Sequence, residues 1–466
     1  MYNNWLPEIV KRSENGPYIK ETDFDMAIAK RIPQLVKEYG LKYDPNVLVP
    51  SDDGMADRLY QASIDLLYET GAYNMNTQRL IKFSRDEIIE AVAFAPRSVM
   101  LGTGKDAIEM GHRGVESTKR CVIHSGPTGT PVSERYNPMI ALSCAQEPLV
   151  DCLGSGSVST YNGDMIIPGT PLEILGVQRD AAVLREAVRK AGRPGMHIND
   201  VASPLTCAGK MAAFNPERGL RSSDALLISQ MVEFKTDYDQ LSRVAAQRSN
   251  GMYIIDLMTP LIGGLGGGPA GTAIVTVASH LLGVLIYDAD WHVYGHMRLL
   301  DSTDTDRMGL WIYALGGMAL TRNTPILSMT ALYTRAGLGT EEVLWEVAAS
   351  SIASTIGGLH QGGVGSTGGS NEDYTSGIEN RFNAQVSHAS LGMSRQDANG
   401  YVLEMLSHYE ESQKNPPIGK PFAGLYNTET VEPLEEWLEL YHKVSDAITN
   451  MGLDVNYGWL NAVREQ

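Results

Sequence analysis

Apolar residues recur at i, i+3 and i+4 over residues 25–39, 55–70 and 85–94, a spacing that predicts three amphipathic helices. Ser84, followed three residues later by Glu87, predicts a capping box at the third helix, hydroxyl and carboxylate each satisfying a free N–H. Past residue 98 the pattern changes. Short apolar runs ending in small or polar residues alternate with longer amphipathic segments. CVIHSGPTGTP precedes SERYNPMIALSCAQ, LGSGSVST precedes PLEILGVQRDAAVLREAVRKAG, and PGMHIND precedes a helix near 205–214. LSRVAAQRSNG leads into MYIIDLMTP, HLLGVLIYDAD into a helix over 304–321, PILSMTALY into TEEVLWEVAASSIAST, and GLHQGGVG into NEDYTSGIENRFNAQVSHAS. Seven or eight strand–helix repeats between residues 99 and 390 imply parallel βαβ units. That number in roughly 290 residues predicts an α/β chain closed into a (β/α)8 TIM barrel rather than an open sheet. The organisation expected is a helical extension over 1–97 packed on the barrel, the barrel over 98–395, and C-terminal helices over 396–466.

One apolar stretch needs separate reading. Residues 257–287 contain no Asp, Glu, Lys or Arg, a run longer than the ~20 residues that span a bilayer. Its first half, TPLIGGLGGGPAG, is a poor helix former, and its second, TAIVTVASHLLGVLIY, is short and carries His280. The pattern predicts loop, buried helix, then buried strand, and no membrane span. The opening MYNNWLPEIVKRSENG lacks the apolar core of a secretory signal.

Composition narrows the function. Lys and Arg total 38 against 55 Asp and Glu, a net charge of −17 that disfavours a nucleic-acid surface or docking on anionic lipid. Four cysteines (Cys121, Cys144, Cys152, Cys207) without a CxxC pair fit a reduced, cytoplasmic setting and no structural zinc. No GxGxxG opens an early helix and no GxxxxGK[ST] occurs, so nucleotide folds lose ground. Glycine, 47 of 466 residues, is spread among apolar segments, which points to turns at strand ends rather than a linker.

In a barrel, functional residues lie at the C-terminal ends of strands. That rule selects His124 and Ser125; His197, Asn199 and Asp200; Asp256; Asp290, Trp291 and His292; Thr330 and Tyr333; His360 and Gln361. His292 and His296 are four apart, but DADWHVYGH is no helix and no HExxH occurs, so no metal site is expected. Asp256, ending MYIID, suits either an acid of raised pKa or a loop hydrogen bond. His360 suits either chemistry or a bond to a neighbouring carbonyl. The glycines from Gly263 to Gly268 suit a phosphate cradle, a close backbone approach to a bulky partner, or a plain flexible loop. The absence of Lys and Arg there weakens the first. Taken alone, these residues describe an α/β-barrel enzyme with its reaction open.

LGTGKDA (101–107), SGPTGTPVSE (125–134), AGRPGM (191–196), GGLGGG (263–268), the dipeptide Trp291–His292 and PPIGKPF (416–422) resemble archaeal monomethylamine:corrinoid methyltransferases, colinearly over about 39–453. The resemblance implies a (β/α)8 barrel in a homo-oligomer, a hexamer. Such enzymes move a methyl group from a methylamine to Co(I) of a separate corrinoid protein, which presents its cofactor at the barrel mouth, so no permanently bound cofactor is expected. The family is best known for pyrrolysine, encoded by an in-frame amber codon, whose imine ring is thought to bind the amine. Aligning AGRPGM puts Asn199 at that position, and an amide cannot form the adduct proposed for an imine. The two glutamates and the glutamine around pyrrolysine fall on Leu227, Leu257 and Ala331, whereas Asp256, Trp291 and Tyr333 match. Losing four polar or reactive groups together implies a non-pyrrolysine homologue with a changed substrate, most naturally an N-methyl compound.

The chemistry then asks for two things. The methyl carbon must sit in line with cobalt, ~3–3.5 Å away before attack, and the leaving group must be good. A quaternary ammonium leaves as a neutral amine, and an aromatic box from Tyr253, Trp291, Tyr294 and Tyr333 would hold it. A secondary or tertiary amine, ether or thioether needs a proton, for which Asp256, His197 or Asp200 are the catalytic candidates. Leucine for glutamate leaves a small ammonium ion without its counter-charge, so a larger or less polar donor than methylammonium is expected. Expected substrate contacts are Asn199, Leu227, Leu257, Trp291, His292, Ala331 and Tyr333, and the corrinoid partner is expected to dock on Gly264, Gly266, Gly267 and Gly268. Two rivals stand beside this reading: a zinc-assisted methyltransferase for an alcohol or thiol, and a non-catalytic homologue that keeps only the docking surface.

Overall fold

The computed structural model of the chain describes residues 5–203 and 205–457. Seven short strands run parallel: β1 (His124–Ser125), β2 (Cys152–Leu153), β3 (His197–Ile198), β4 (Ala225–Ser229), β5 (Tyr253–Met258), β6 (Trp291–Tyr294) and β7 (Ser328–Thr330). An eighth segment at 360–361 closes the ring, Met329 pairing with His360 and Ile123 with Gln361. The seam between β3 and β4 is held by side chains: Ile198 N–H donates to Asp224 Oδ1 (3.0 Å) and Leu227 N–H to Asp200 Oδ1 (3.0 Å). A helix follows each strand: α1 (Asn137–Ala145), α2 (Pro171–Lys190), α3 (Cys207–Ala212), α4 (Tyr238–Ser249), α5 (Pro269–Leu282), α6 (Arg307–Asn323), α7 (Glu341–Ile356) and α8 (Gly377–Ala389). The (β/α)8 barrel read from the alternation is therefore the fold. Side-chain caps start several helices, as at Thr206, Asp237, Asp306 and Thr340.

Four helices precede the barrel: Trp5–Asn15, Glu21–Glu38, Asp53–Thr70 and Arg85–Ala93, the last begun by the predicted Ser84–Glu87 capping box. They share one apolar core with α5 and α6, in which Ile28, Ile32, Leu35, Leu59, Ile274, Val277 and Leu281 are buried. Helices Arg395–Ser407 and Glu435–Asn450 pack on α7 through Val402, Met405, Trp437 and Val444. An antiparallel hairpin (Ser98–Leu101 with Ile108–Gly111) closes the N-terminal end, its Val99, Leu101 and Met110 joining the interior cluster. The first four and last nine residues of the chain lie outside the described residues.

Two expectations need correction. The apolar run does not end in a strand: α5 continues into a π-helical turn, Gly283–Tyr287, stopped by left-handed Asp288 (φ 52°), and the strand begins at Trp291. Residues Pro269–Tyr287 are long and apolar enough to cross a membrane, but 94% of that window is buried inside the molecule. A helix covered on every side has no polar stripe, so its periodicity cannot be told from that of a buried strand. Conversely, ALLIS (225–229) forms β4, although no strand was read there.

Candidate functional site

Alternation along the strands sends one set of side chains into the barrel. Val122, Cys152, Ala225, Ile255, Trp291, Val293, Met329, Ala331 and Tyr333 form this interior cluster, with half-buried Leu227, Tyr253 and Leu257 against it. Among the described residues, no Asp, Glu, Lys or Arg stands at an inward-facing strand position. His124 and His197 share the register of Cys152 from either side, so all three project inward. The rings of His197, Tyr253 and Trp291 meet at centroid distances of 5.6–6.4 Å. Asn199, on the same inward phase as His197, reaches across to Met329, its Nδ2 donating to Sδ at 3.9 Å.

His124 Nε2 and Trp291 Nε1 are buried and make no hydrogen bond, whereas the His197 and Asn199 side chains face each other within hydrogen-bond reach. An unpaired buried polar atom costs roughly 1–3 kcal/mol, so two together mark a place open to a further partner. Their polarities follow from their partners. His197 Nδ1 sits 2.7 Å from the Ser223 carbonyl and must donate to it, which leaves Nε2 an acceptor. His124 Nδ1 accepts from Gly363 N–H at 3.3 Å, so its proton is on Nε2, a donor. Trp291 Nε1 donates, and Asn199 Oδ1 accepts. Burial keeps both imidazoles neutral: it pushes His197 below its usual range and His124 down to about 3, with His197 adding to the effect on His124. Gly154 makes room, since a Cβ there would lie 2.3 Å from His124 Nε2. Gly154 and Met329 escaped the sequence reading; a glycine directly after an apolar run, in LGSGS, was the available signal.

Several expected site residues point elsewhere. Leu257 faces inward, so Asp256 faces the helix layer. It is fully buried; Gln230 Nε2 donates to its Oδ2 at 3.1 Å and His292 Nδ1 lies 3.4 Å from the same oxygen. A Cβ on Gly283 of the π turn would fall 2.1 Å from Asp256 Oδ2 and 2.7 Å from His292 Cε1, which locates both side chains under that turn. Burial holds the Asp256 carboxyl well above the usual carboxylate range and pushes His292 down to about 3, so charge is disfavoured on both, and the pair is walled off from the barrel interior. Neither the proton-donor role for Asp256 nor the substrate contact for His292 fits this placement.

Asp200 is also engaged. Both its oxygens accept from Lys210 Nζ at 2.9 Å while Oδ1 holds the β4 backbone, so this carboxylate ties the β3–β4 seam instead of serving a substrate. Tyr294 leaves the expected aromatic box, its hydroxyl donating to the Tyr313 carbonyl (3.1 Å). Gln361 bonds Ser354 and Thr355 of α7, and His360 lies between the Val122 N–H and the Gly111 carbonyl near the floor hairpin. Asn199, Leu227, Leu257, Trp291, Ala331 and Tyr333 do come together on the interior face.

The glycine loop divides in two. A Cβ on Gly264 would lie 2.9 Å from Leu261 Cβ, and one on buried Gly266 3.0 Å from Thr272 Cα, so packing within this chain accounts for both, and the docking role expected of Gly264 and Gly266 is withdrawn. Gly267 and Gly268 are exposed, and a Cβ on either would meet nothing within 4 Å. Among the described residues, no group of three or more His, Cys, Asp or Glu is placed to share a metal ion, which gives the zinc-assisted rival no ligand set.

Comparison with known proteins adds a relationship to this geometry. A family model described as monomethylamine methyltransferase MtmB matches residues 6–453. The monomethylamine methyltransferase MtmB1 of Methanosarcina barkeri is 32% identical over 444 residues, 95% of this chain and 96% of the relative. The MtmB protein of Methanosarcina mazei is likewise 32% identical over 444 residues with the same coverage. The crystal structure of the Methanosarcina barkeri enzyme superposes with a TM-score of 0.93 at 31% identity, covering 97% of this chain and 99% of that one. The crystal structure of an MtmB complex with hydroxylamine matches equally well.

Proposed function

The chain belongs to the monomethylamine methyltransferase family, and from that premise we propose that it moves a methyl group from a small N-methyl compound other than monomethylamine to the Co(I) of a corrinoid carried by a separate protein. The observation that carries the reading is the uncharged interior: Leu227, Leu257 and Ala331 line a barrel that holds two neutral imidazoles, an amide and aromatic faces. A methylammonium ion buried there would lose its hydration without gaining a counter-charge, a cost of several kcal/mol.

The leaving group follows from the same inventory. His197 presents an acceptor nitrogen, and the His124 imidazole, already neutral with its pKa pushed down to about 3, is a poor acid at its Nε2–H. With Asp256 and Asp200 turned away, no inward side chain is suited to hand over a proton. A quaternary ammonium donor needs none, because it departs as a neutral tertiary amine. Its diffuse charge is held by ring faces, at ~0.5–2 kcal/mol each, and Trp291, Tyr253 and Tyr333 supply them. Co(I) of the partner's corrinoid supplies the nucleophile. Exposed Gly267 and Gly268 suit the approach of a broad, flat group, since a Cβ on either would meet nothing in this chain; at Gly267 the left-handed φ of 67° also favours glycine.

The test is methylation of cob(I)alamin, free and on its carrier protein, followed by absorbance against a panel of methylated amines. Transfer from quaternary ammonium compounds with none from monomethylamine is the expected result. Transfer from monomethylamine at a comparable rate overturns the changed substrate. No transfer from any compound, with the cognate corrinoid protein present, overturns catalysis and favours the docking-only homologue.

A further inference from the structure

The mouth end of the site is held from behind. Ala331 and Tyr333 lie just past the C-terminal end of β7 and belong to the interior cluster. Asp304, fully buried in the loop between β6 and α6, grips Tyr333 by both backbone groups: its Oδ1 accepts from the Tyr333 N–H at 3.0 Å, and its own N–H donates to the Tyr333 carbonyl at 3.1 Å. Gly295, directly after β6, leaves room for the ring, since a Cβ there would lie 2.5 Å from Tyr333 Cε2 and 3.1 Å from Ala331 Cβ. Tyr313 of α6, also fully buried, completes the clamp. Its Oη lies 2.6 Å from Asp304 Oδ2 and 2.5 Å from the Ala331 carbonyl oxygen.

These two contacts set a proton count. Each is at O–H···O distance, so each needs a proton between its oxygens. The carbonyl has none to give and the phenol has one. The phenol proton therefore goes to Ala331, and the second proton comes from Asp304. We infer that Asp304 is an un-ionised carboxylic acid and a positioning residue for methyl transfer: its Oδ2–H donates to Tyr313, whose hydroxyl donates to the Ala331 carbonyl, and this chain holds Ala331 and the Tyr333 ring face against the donor without placing a charge behind them. The inference deepens, and rests on, the methyl-transfer reading. The surroundings agree with it. Burial holds the Asp304 carboxyl well above the usual carboxylate range against its bonds from Tyr313 and Tyr333, and the acidic neighbours Glu346 and Asp306 add to the effect.

Asparagine offers the same donor and the same acceptor, and alanine offers neither, so D304N should behave as the wild type and D304A should not. The first readout needs no substrate: the infrared difference spectrum of wild type against D304N at neutral pH should show the C=O stretch of one protonated carboxyl. The second is calorimetric titration with tetramethylammonium, without corrinoid. D304N should bind within about threefold of the wild type; D304A, and Y313F, which breaks the chain but keeps the acid, should bind at least about fivefold more weakly, as a displaced ring face predicts. In methylation of cob(I)alamin the same variants should move KM by the same factors and leave kcat within about threefold. Urea midpoints check folding, and Y313F carries the comparison if D304A does not fold. A carboxylate band in place of the acid band, a D304N that does not fold or binds as weakly as D304A, no binding of tetramethylammonium to the wild type, or affinities unmoved in both D304A and Y313F each overturn the inference. The acid band and the expected affinities without methyl transfer from any compound sink the methyl-transfer reading only; transfer with a carboxylate band sinks this inference only.

Discussion

Asp256 and Leu257 are neighbours in the chain and stand on opposite faces of the barrel wall. A residue-level prediction separates them. If Asp256 were a general acid, D256N would lower turnover by about 10²–10⁴. Its carboxyl is instead held by burial well above the usual carboxylate range, lies under the π turn and is bonded to Gln230 and His292. An isosteric amide there should change turnover by less than about threefold, read in the cob(I)alamin assay; a hundredfold loss would restore Asp256 to the site. The sequence marked the strand end but could not tell which way the side chain turned. In MYIIDLM both faces of the strand are buried, as in parallel sheets generally, so no polar alternation records its phase. His197 and Asn199 were legible because GMHIND is short and ends in polar residues at the barrel rim. The approach of their side chains to each other was not, since it is a property of three-dimensional neighbours.

At the scale of elements, alternation of short apolar runs with amphipathic segments was enough to read the barrel, because each βα unit repeats the same demand for one buried strand and one half-buried helix. It failed where an element is buried on all sides, at α5 and its π turn, and it missed β4. The loop after β4 carries a group that joins three elements. Glu233 lies against Gly264 of the glycine loop, with Asp25 of the Glu21–Glu38 helix and Lys235 as its charged neighbours and the Leu261 backbone as a hydrogen-bond partner. Burial, then Asp25, pushes its carboxyl up to about 7, Lys235 opposing. An ordinary glutamate titrates near ~4.3. Between these values the folded chain keeps a proton the unfolded chain has lost, so the stability this group contributes is full below ~4.3 and is lost as pH rises through about 7. E233Q does not titrate. Its stability relative to the wild type should therefore rise with pH across about 5–7, with a slope of up to ~1.4 kcal/mol per unit, and level off near 8. Urea melts of both proteins at three pH values check this, and a gap independent of pH would mean that Glu233 is ionised in the fold throughout.

At the scale of the molecule, the helices before the barrel are part of its core. α5 is buried on every side, and the surface it turns away from the strands is covered by Glu21–Glu38 and Asp53–Thr70, with Ile28, Ile32, Leu35 and Leu59 fully or almost fully buried there. Gly271 measures how close that packing is: a Cβ on it would lie 2.6 Å from Ile32 Cγ2. Trp5 ties the first helix to the π turn by donating to the Leu285 carbonyl at 2.7 Å. Each large aliphatic side chain buried in this seam is worth ~1.5–3 kcal/mol, and the total stability of a domain is only about 5–15 kcal/mol. Losing four such side chains would consume most of that margin and expose a largely apolar helix. A fragment of residues 98–457 should therefore fail to fold alone, giving aggregated protein or no cooperative urea transition, whereas the full chain should unfold with its extension and barrel together. A soluble fragment with a melt like that of the full chain would show that the barrel stands without its extension. In that outcome the burial of α5 on every side would need another explanation than the helices that cover it here.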